Sequence, residues 1–189
     1  VGGVEHSTDW YGIVAGWGVA SPGWVQAVAL VLTDALLLAF IPVAGIVWWR
    51  VDRRARAALA ILLSGGAAWV LTDPVKDVVR QLRPCRTLPV RTVEHCSEVG
   101  VFSFPSGHSA AAAAFAVTVA VLWRRVAAIV AAVAVLEAFL RVYLGVHYPH
   151  DVLAGLLFGA VIGAFAAVAA KPGAKRPPAV AETAAVPGR

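Results

Sequence analysis

From residue 24 onward the chain alternates long apolar runs with short polar islands. The runs lie near 24–49, 57–75, 106–123, 126–143 and 151–170. Each is close to the roughly 20 residues that an α-helix needs to cross a bilayer. The second is interrupted by Gly65, Gly66 and Pro74. Membrane helices tolerate such residues when neighbouring helices satisfy the loosened backbone. The stretch "WYGIVAGWGVA" at 10–20 is too short to span. It predicts an interfacial helix or a re-entrant start, with Trp10, Tyr11 and Trp17 at the headgroup level. The expected fold is all-α: a polytopic membrane helix bundle of about five transmembrane helices plus an N-terminal interfacial helix. Residues 1–23 form the interfacial segment and 24–170 the membrane-embedded domain. Residues 171–189, rich in Pro, Ala and Gly, are expected to be a disordered tail.

Composition agrees with a membrane class. The chain is 60% hydrophobic and only 14% charged, whereas a soluble domain is about half apolar and a quarter charged. The net charge of +5 is read as loop charge rather than a nucleic-acid surface, because basic and aromatic residues do not interleave. Residues 1–9 lack the basic start and apolar run of a cleavable signal peptide. The chain has no methionine, so a trimmed N-terminus or an unusual start codon is expected.

Loop charge also predicts orientation. If the five spans alternate, 50–56, 124–125 and 171–178 share one side. With the C-terminal arginine, that side holds ten of the sixteen Lys and Arg residues. The positive-inside rule makes it cytoplasmic, so the N-terminus is outside and the C-terminus inside. Lys76, Arg80, Arg83, Arg86, Arg91 and Arg141 fall on the outer side against the rule. They point to an anionic ligand, or to pairing with Asp73, Asp77, Glu94, Glu98 and Glu137. Cys85 and Cys96 lie in the same outer loop, where an oxidising compartment permits a disulfide, the alternative being two free thiols.

Three polar clusters reach one membrane face in this topology: "KDVVRQLRP" at 76–84, "FPSGHSA" at 104–110 and "RVYLGVHYPHD" at 141–151. Lys76 with Arg83-Pro84 reads K-x6-R-P. Pro105-Ser106-Gly107-His108 reads P-S-G-H. Arg141, His147 and Asp151 read R-x5-H-x3-D. Over roughly 24–170 the chain thereby resembles the type 2 phosphatidic acid phosphatase superfamily, which includes lipid phosphate phosphatases and resembles vanadium haloperoxidases. One position departs: relatives commonly have Ser before the third-motif arginine, and here it is Leu140.

The chemistry of the residues agrees with the resemblance. Phosphoryl transfer is catalysed mainly by positioning and charge stabilisation. Lys76 supplies a compact charge, and Arg83 and Arg141 can grip phosphate oxygens bidentately. Pro105 suits a helix's first turn. That puts Ser106 and Gly107 at a helix N-terminus, which attracts anions. His147 and Asp151, four apart, would share a helix face, the carboxylate aiming the ring. His147 is the expected nucleophile and His108 the expected acid and base. Glu137, four before Arg141, is expected to hold that arginine. His150 is expected at the rim, and Asp34 either pairs with an active-site base or is protonated. Three glycines four apart, within "GLLFGAVIG", predict close helix packing or a dimer contact.

No metal and no cofactor are expected. The resemblance implies a lipid phosphate as ligand, and polyprenyl (undecaprenyl-type) diphosphate is favoured because short members of the family often recycle that cell-wall carrier; Arg86 and Arg91 suit a diphosphate. Phosphatidylglycerol phosphate or phosphatidic acid is the alternative. Such a protein would lie in a bacterial plasma membrane with its site facing outside. A lipid transporter without catalysis and a haloperoxidase remain competing readings, as does a zinc site at "HYPHD".

Overall fold

The computed structural model describes residues 2–51 and 55–170, with the side chains of 2–6 left aside. The expected tail, 171–189, and part of the basic loop at 50–56 lie outside the described residues. Eight α-helices follow one another: α1 (Gly2–Ala20), α2 (Gly23–Leu38), α3 (Phe40–Arg50), α4 (Ala55–Val79), α5 (Pro84–Thr87), α6 (Gly107–Leu122), α7 (Ala127–Tyr143) and α8 (Pro149–Ala170). A short 3-10 turn, Arg124–Val126, links α6 to α7. The described residues contain no strand.

Four helical stretches are long and apolar enough to cross a membrane: Gly23–Arg50, Ala55–Thr87, Arg124–Tyr143 and Pro149–Ala170. The first breaks at Ala39, between α2 and α3. Pro42 accounts for the break: it has no amide proton to give the Leu38 carbonyl and its ring crowds that group. The expected third span is the shorter α6, with 16 residues. At about 1.5 Å per residue it falls short of the roughly 30 Å hydrocarbon thickness. It is the centre of the bundle, packed on α8, α4 and α7.

Small residues make that centre dense. Ala110 to Ala114 and Ala116 of α6 are buried. Against them lie Gly155, Gly159 and Gly163 of α8. A Cβ on Gly155 would stand 2.5 Å from the Ser106 carbonyl oxygen, and one on Gly163 2.5 Å from that of Ala114. A Cβ on Gly159 would meet the Ala110 carbonyl. The glycine stripe is thus spent inside the bundle, where bare backbone permits the contact. Thr118 adds polar links: its hydroxyl lies 3.1 Å from the Gly163 carbonyl oxygen, 3.0 Å from Ser64 Oγ and 2.8 Å from the Ala114 carbonyl oxygen.

The N-terminal segment differs from expectation. Its helix begins at Gly2, well before Trp10, and packs on α7 and α8. Tyr11 is fully buried and donates to the Gly145 carbonyl at 3.0 Å. Trp10 and Trp17 stay exposed. The polar start "EHSTD" hides this helix from an apolar-run reading, yet Ser7 is buried against His150 at 2.7 Å. The C-terminal ends of α4 and α7 and the N-terminal ends of α6 and α8 meet at one end of the bundle. All three polar clusters lie there.

Candidate active site

The second cluster starts α6. Ser106 is the N-cap, with ψ 117°, and its hydroxyl accepts from the Ser109 amide at 3.4 Å. Pro105 was expected inside the first turn. It stands one residue before the cap instead, after a cis bond to Phe104, and Gly107 is the first helical residue. The extended backbone of Ser106 shifts the helix start past the proline. Gly107 faces Lys76: a Cβ there would stand 3.6 Å from Lys76 Nζ. His108 follows, 17% exposed, its ring 4.5 Å from that of Trp69. Its Nε2 lies 3.6 Å from Asp34 Oδ1, so Asp34 stands beside the expected acid and base.

The third cluster spans the end of α7, the loop that follows and the first turn of α8. Gly145 turns it with φ +86°, a conformation that disfavours a side chain. A Cβ there would also strike Thr92, at 2.7 Å from Cγ2. The Leu144 carbonyl accepts from the amides of Val93 and Glu94, both at 3.1 Å. His147 therefore lies in a pinned loop before α8, not on the helix with Asp151 as the spacing implied. The pair still meets, because the Asp151 carboxylate folds back over the first turn to accept from the Tyr148 amide at 2.9 Å.

His147 Nδ1 is 3.5 Å from Asp151 Oδ2 and 3.4 Å from Ser103 Oγ. Ser103 donates a short hydrogen bond to that same carboxylate oxygen. Asp151 Oδ1 accepts from the Gln81 amide at 3.1 Å. This set directs Nδ1–H toward Asp151 and Ser103 and leaves Nε2 facing Arg83 Nη1 at 3.5 Å. His147 is 2% exposed. Burial pushes its imidazole down to about 4, and the charges of Arg83 and Arg141 act in the same direction against Asp151. The ring is neutral near pH 7, with a lone pair on Nε2.

His150 is a correction. It was expected to face away from Asp151, at a rim. Its Nε2 lies 3.2 Å from Asp151 Oδ1 and 2.7 Å from the Gln81 amide nitrogen, and its ring stacks on Tyr148. The helix rule that separates adjacent side chains does not hold in this opening turn, where Asp151 points back along the chain.

The cations surround these groups. Arg83 is buried, with Nη1 donating to the Val146 carbonyl at 3.2 Å and Nε to that of Val101 at 3.3 Å. Lys76 pairs with Asp73 at 2.9 Å. Arg141 is buried and held by Glu94 through two parallel bonds of 2.9 and 3.0 Å. Glu137, the expected partner, instead accepts from Thr33 Oγ1 at 2.5 Å, and Thr33 lies 3.4 Å from Arg141 Nη1. The guanidinium reaches past Glu137 to the loop, so the hydrogen-bonded link between Glu137 and Arg141 runs through Thr33. Arg86 donates to the Ser97 carbonyl at 2.8 Å. Cys85 and Cys96 are joined in a disulfide, with Cα atoms 5.9 Å apart. Ser103, Gln81, Thr33 and Trp69 were not singled out by the sequence. Gln81 fills a variable position of the first motif, and the other three are ordinary polar or aromatic residues outside the motifs.

The described residues form a helical membrane bundle with a histidine–carboxylate pair beside two buried arginines. The chain belongs to the PAP2 superfamily: the family model matches residues 55–172, which hold all three clusters. Among solved structures, it is similar to "the first transmembrane PAP2 type phosphatidylglycerolphosphate phosphatase from Bacillus subtilis". That likeness has a TM-score of 0.65 and 25% identity, over 84% of this chain and 83% of that one. It also shares its fold with Aquifex aeolicus LpxE, with a TM-score of 0.68 and 22% identity, over 84% and 93% of the two chains. No curated protein matches by sequence.

Proposed function

We propose that this protein is a lipid phosphate phosphatase that works through a phosphohistidine on His147. The observation that carries the reading is His147 itself: buried and neutral, with Nδ1 toward Asp151 and Ser103 and Nε2 toward Arg83. Nε2 attacks phosphorus in line, the P–O bond to the lipid breaks, and His108 protonates the leaving oxygen. His108 then takes a proton from water, which attacks the phosphohistidine and releases phosphate. Lys76, Arg83, Arg141 and the amides at the start of α6 take up the charge on the equatorial oxygens.

Two substrates are supported. The likeness to the Bacillus subtilis phosphatidylglycerolphosphate phosphatase favours phosphatidylglycerol phosphate, and we place it first. Polyprenyl diphosphate, in recycling of the cell-wall carrier, is the second reading, carried by the family resemblance. Arg86, one of the two outer arginines that suit a diphosphate, is engaged by the Ser97 carbonyl. Phosphate release from phosphatidylglycerol phosphate, polyprenyl diphosphate and phosphatidic acid, compared as kcat/KM with purified protein, separates them. A preference of at least about tenfold, or 1.4 kcal/mol, for the first supports the order given. The same preference for the second reverses it, and release from none refutes the phosphatase reading.

A further inference from the structure

Arg141 already holds an anion. Glu94 offers its carboxylate to the guanidinium in the two-bond geometry that a phosphate uses, at 2.9 and 3.0 Å. The Glu94 main chain is pinned. Its amide donates to the Leu144 carbonyl, and Thr92 Oγ1 donates to its carbonyl at 2.8 Å. Two residues on, Cys96 is tied to Cys85, next to the Arg83-Pro84 pair. The side chain of Glu94 is about a quarter exposed, at 27%, while that of Arg141 is 4% exposed. The carboxylate can therefore rotate outward without moving the loop, and Arg141 stays in place for whatever replaces it.

We propose that Glu94 sets the selectivity of the site: its carboxylate occupies Arg141, yields to the doubly charged terminal phosphate of a lipid, and excludes the singly charged phosphodiesters of ordinary phospholipids. The proposal rests on the phosphatase reading above and concerns which phosphates reach the site. A carboxylate and a phosphodiester each carry one negative charge, so exchanging one for the other gains Arg141 nothing. A terminal phosphate carries about −1.5 to −2 near pH 7. It offers further oxygens to Arg83 and Lys76 while it displaces Glu94. Selectivity is a difference of affinities, and an internal competitor lowers the affinity of both lipids. Only the more highly charged one recovers the loss. Without such a competitor, a cationic site open to a bilayer would be filled by the diesters that make up most of it.

The test compares the full chain in non-ionic detergent micelles with Glu94→Gln, which keeps the shape and removes the charge, and with Glu94→Asp, which restores the charge. Phosphatidic acid is the substrate and phosphatidylglycerol the diester competitor. The expected result is a KM lowered about fivefold in Glu94→Gln, the effect of an ion pair of roughly 1 kcal/mol, with kcat within about twofold. Phosphatidylglycerol should inhibit Glu94→Gln and leave the wild type and Glu94→Asp unaffected. Equal inhibition of wild type and Glu94→Gln, or a loss confined to kcat, overturns the proposal. Titration of inorganic phosphate into the same proteins gives a readout independent of turnover. Tighter binding by Glu94→Gln supports the competitor role, and equal binding overturns it. Glu94→Ser replaces Glu94→Gln in both measurements if the amide variant does not fold. If the wild type releases no phosphate from any lipid, the phosphatase reading fails while the phosphate titration still decides the role of Glu94.

Discussion

The amide of Ser106 donates to the carbonyl of Asp151 at 3.0 Å. One backbone hydrogen bond thus ties the start of α6 to the first turn of α8. It sets the P-S-G-H cluster against the residue that orients His147. The bond is possible because Gly155 lets α8 approach the Ser106 carbonyl.

The close approach makes a stability prediction. Gly159→Ala should be destabilising by about 1–3 kcal/mol through overpacking, seen as a lower Tm. Gly12→Ala, with nothing near the added carbon, should leave Tm nearly unchanged. Equal Tm values for the two variants would show that the α6–α8 contact is looser than described.

Ser103 predicts an effect on turnover. Its hydroxyl bonds Asp151 and lies 3.4 Å from His147 Nδ1. Ser103→Ala should lower kcat by about 10²-fold, the cost of misplacing a reacting group by roughly 1 Å. Ser103→Thr, which keeps a hydroxyl, should recover part of that loss. Steady-state kinetics on a lipid monophosphate measures both, and an unchanged kcat in Ser103→Ala would remove Ser103 from the aiming of His147.

His147 also predicts a pH dependence of stability. Its folded pKa is about 4, below an ordinary value of 6.5. Between those values the unfolded chain binds more protons, so stability is present above pH 6.5 and is lost as pH falls toward 4. The 2.5-unit difference corresponds to about 3 kcal/mol. Tm measured from pH 7 to pH 4 should fall less steeply in His147→Asn than in the wild type. Parallel curves would place the titration elsewhere.

The three motifs were legible because spacing survives without coordinates. K-x6-R-P, P-S-G-H and R-x5-H-x3-D mark positions along the chain, and alternating spans bring them to one end. The partners were less legible. Glu137 is four residues from Arg141, a spacing that suggests pairing on a helix. Glu94, 47 residues away in sequence, is the carboxylate that binds. That pairing depends on the loop turn at Gly145 and on the hydrogen bonds to Leu144, which no local pattern reveals. Likewise α1 could not be read past its polar start, because the partner that makes Ser7 buriable is His150.

Loss of the Cys85–Cys96 bond should free the loop that carries Glu94. Closing a loop of this length, with the cysteines 11 residues apart, contributes about 3 kcal/mol in the chain-entropy model. The Cys85→Ser/Cys96→Ser double variant should lose a comparable amount of stability, measured by thermal unfolding. An unchanged Tm would mean that the loop is held by its other contacts alone.

The phosphate charge in this account is met by Lys76, Arg83 and Arg141, so a chelator should leave phosphate release unchanged. Loss of activity with EDTA, restored by a divalent cation, would require a different mechanism.

The central claim is that His147 becomes phosphorylated. Rapid quenching of the enzyme with a lipid substrate labelled at its terminal phosphate tests it most directly. The account predicts an acid-labile, base-stable phosphoryl label on His147, absent in His147→Asn, whose turnover should fall by at least about 10³-fold. Label on another residue, or near-normal turnover in His147→Asn, would contradict it.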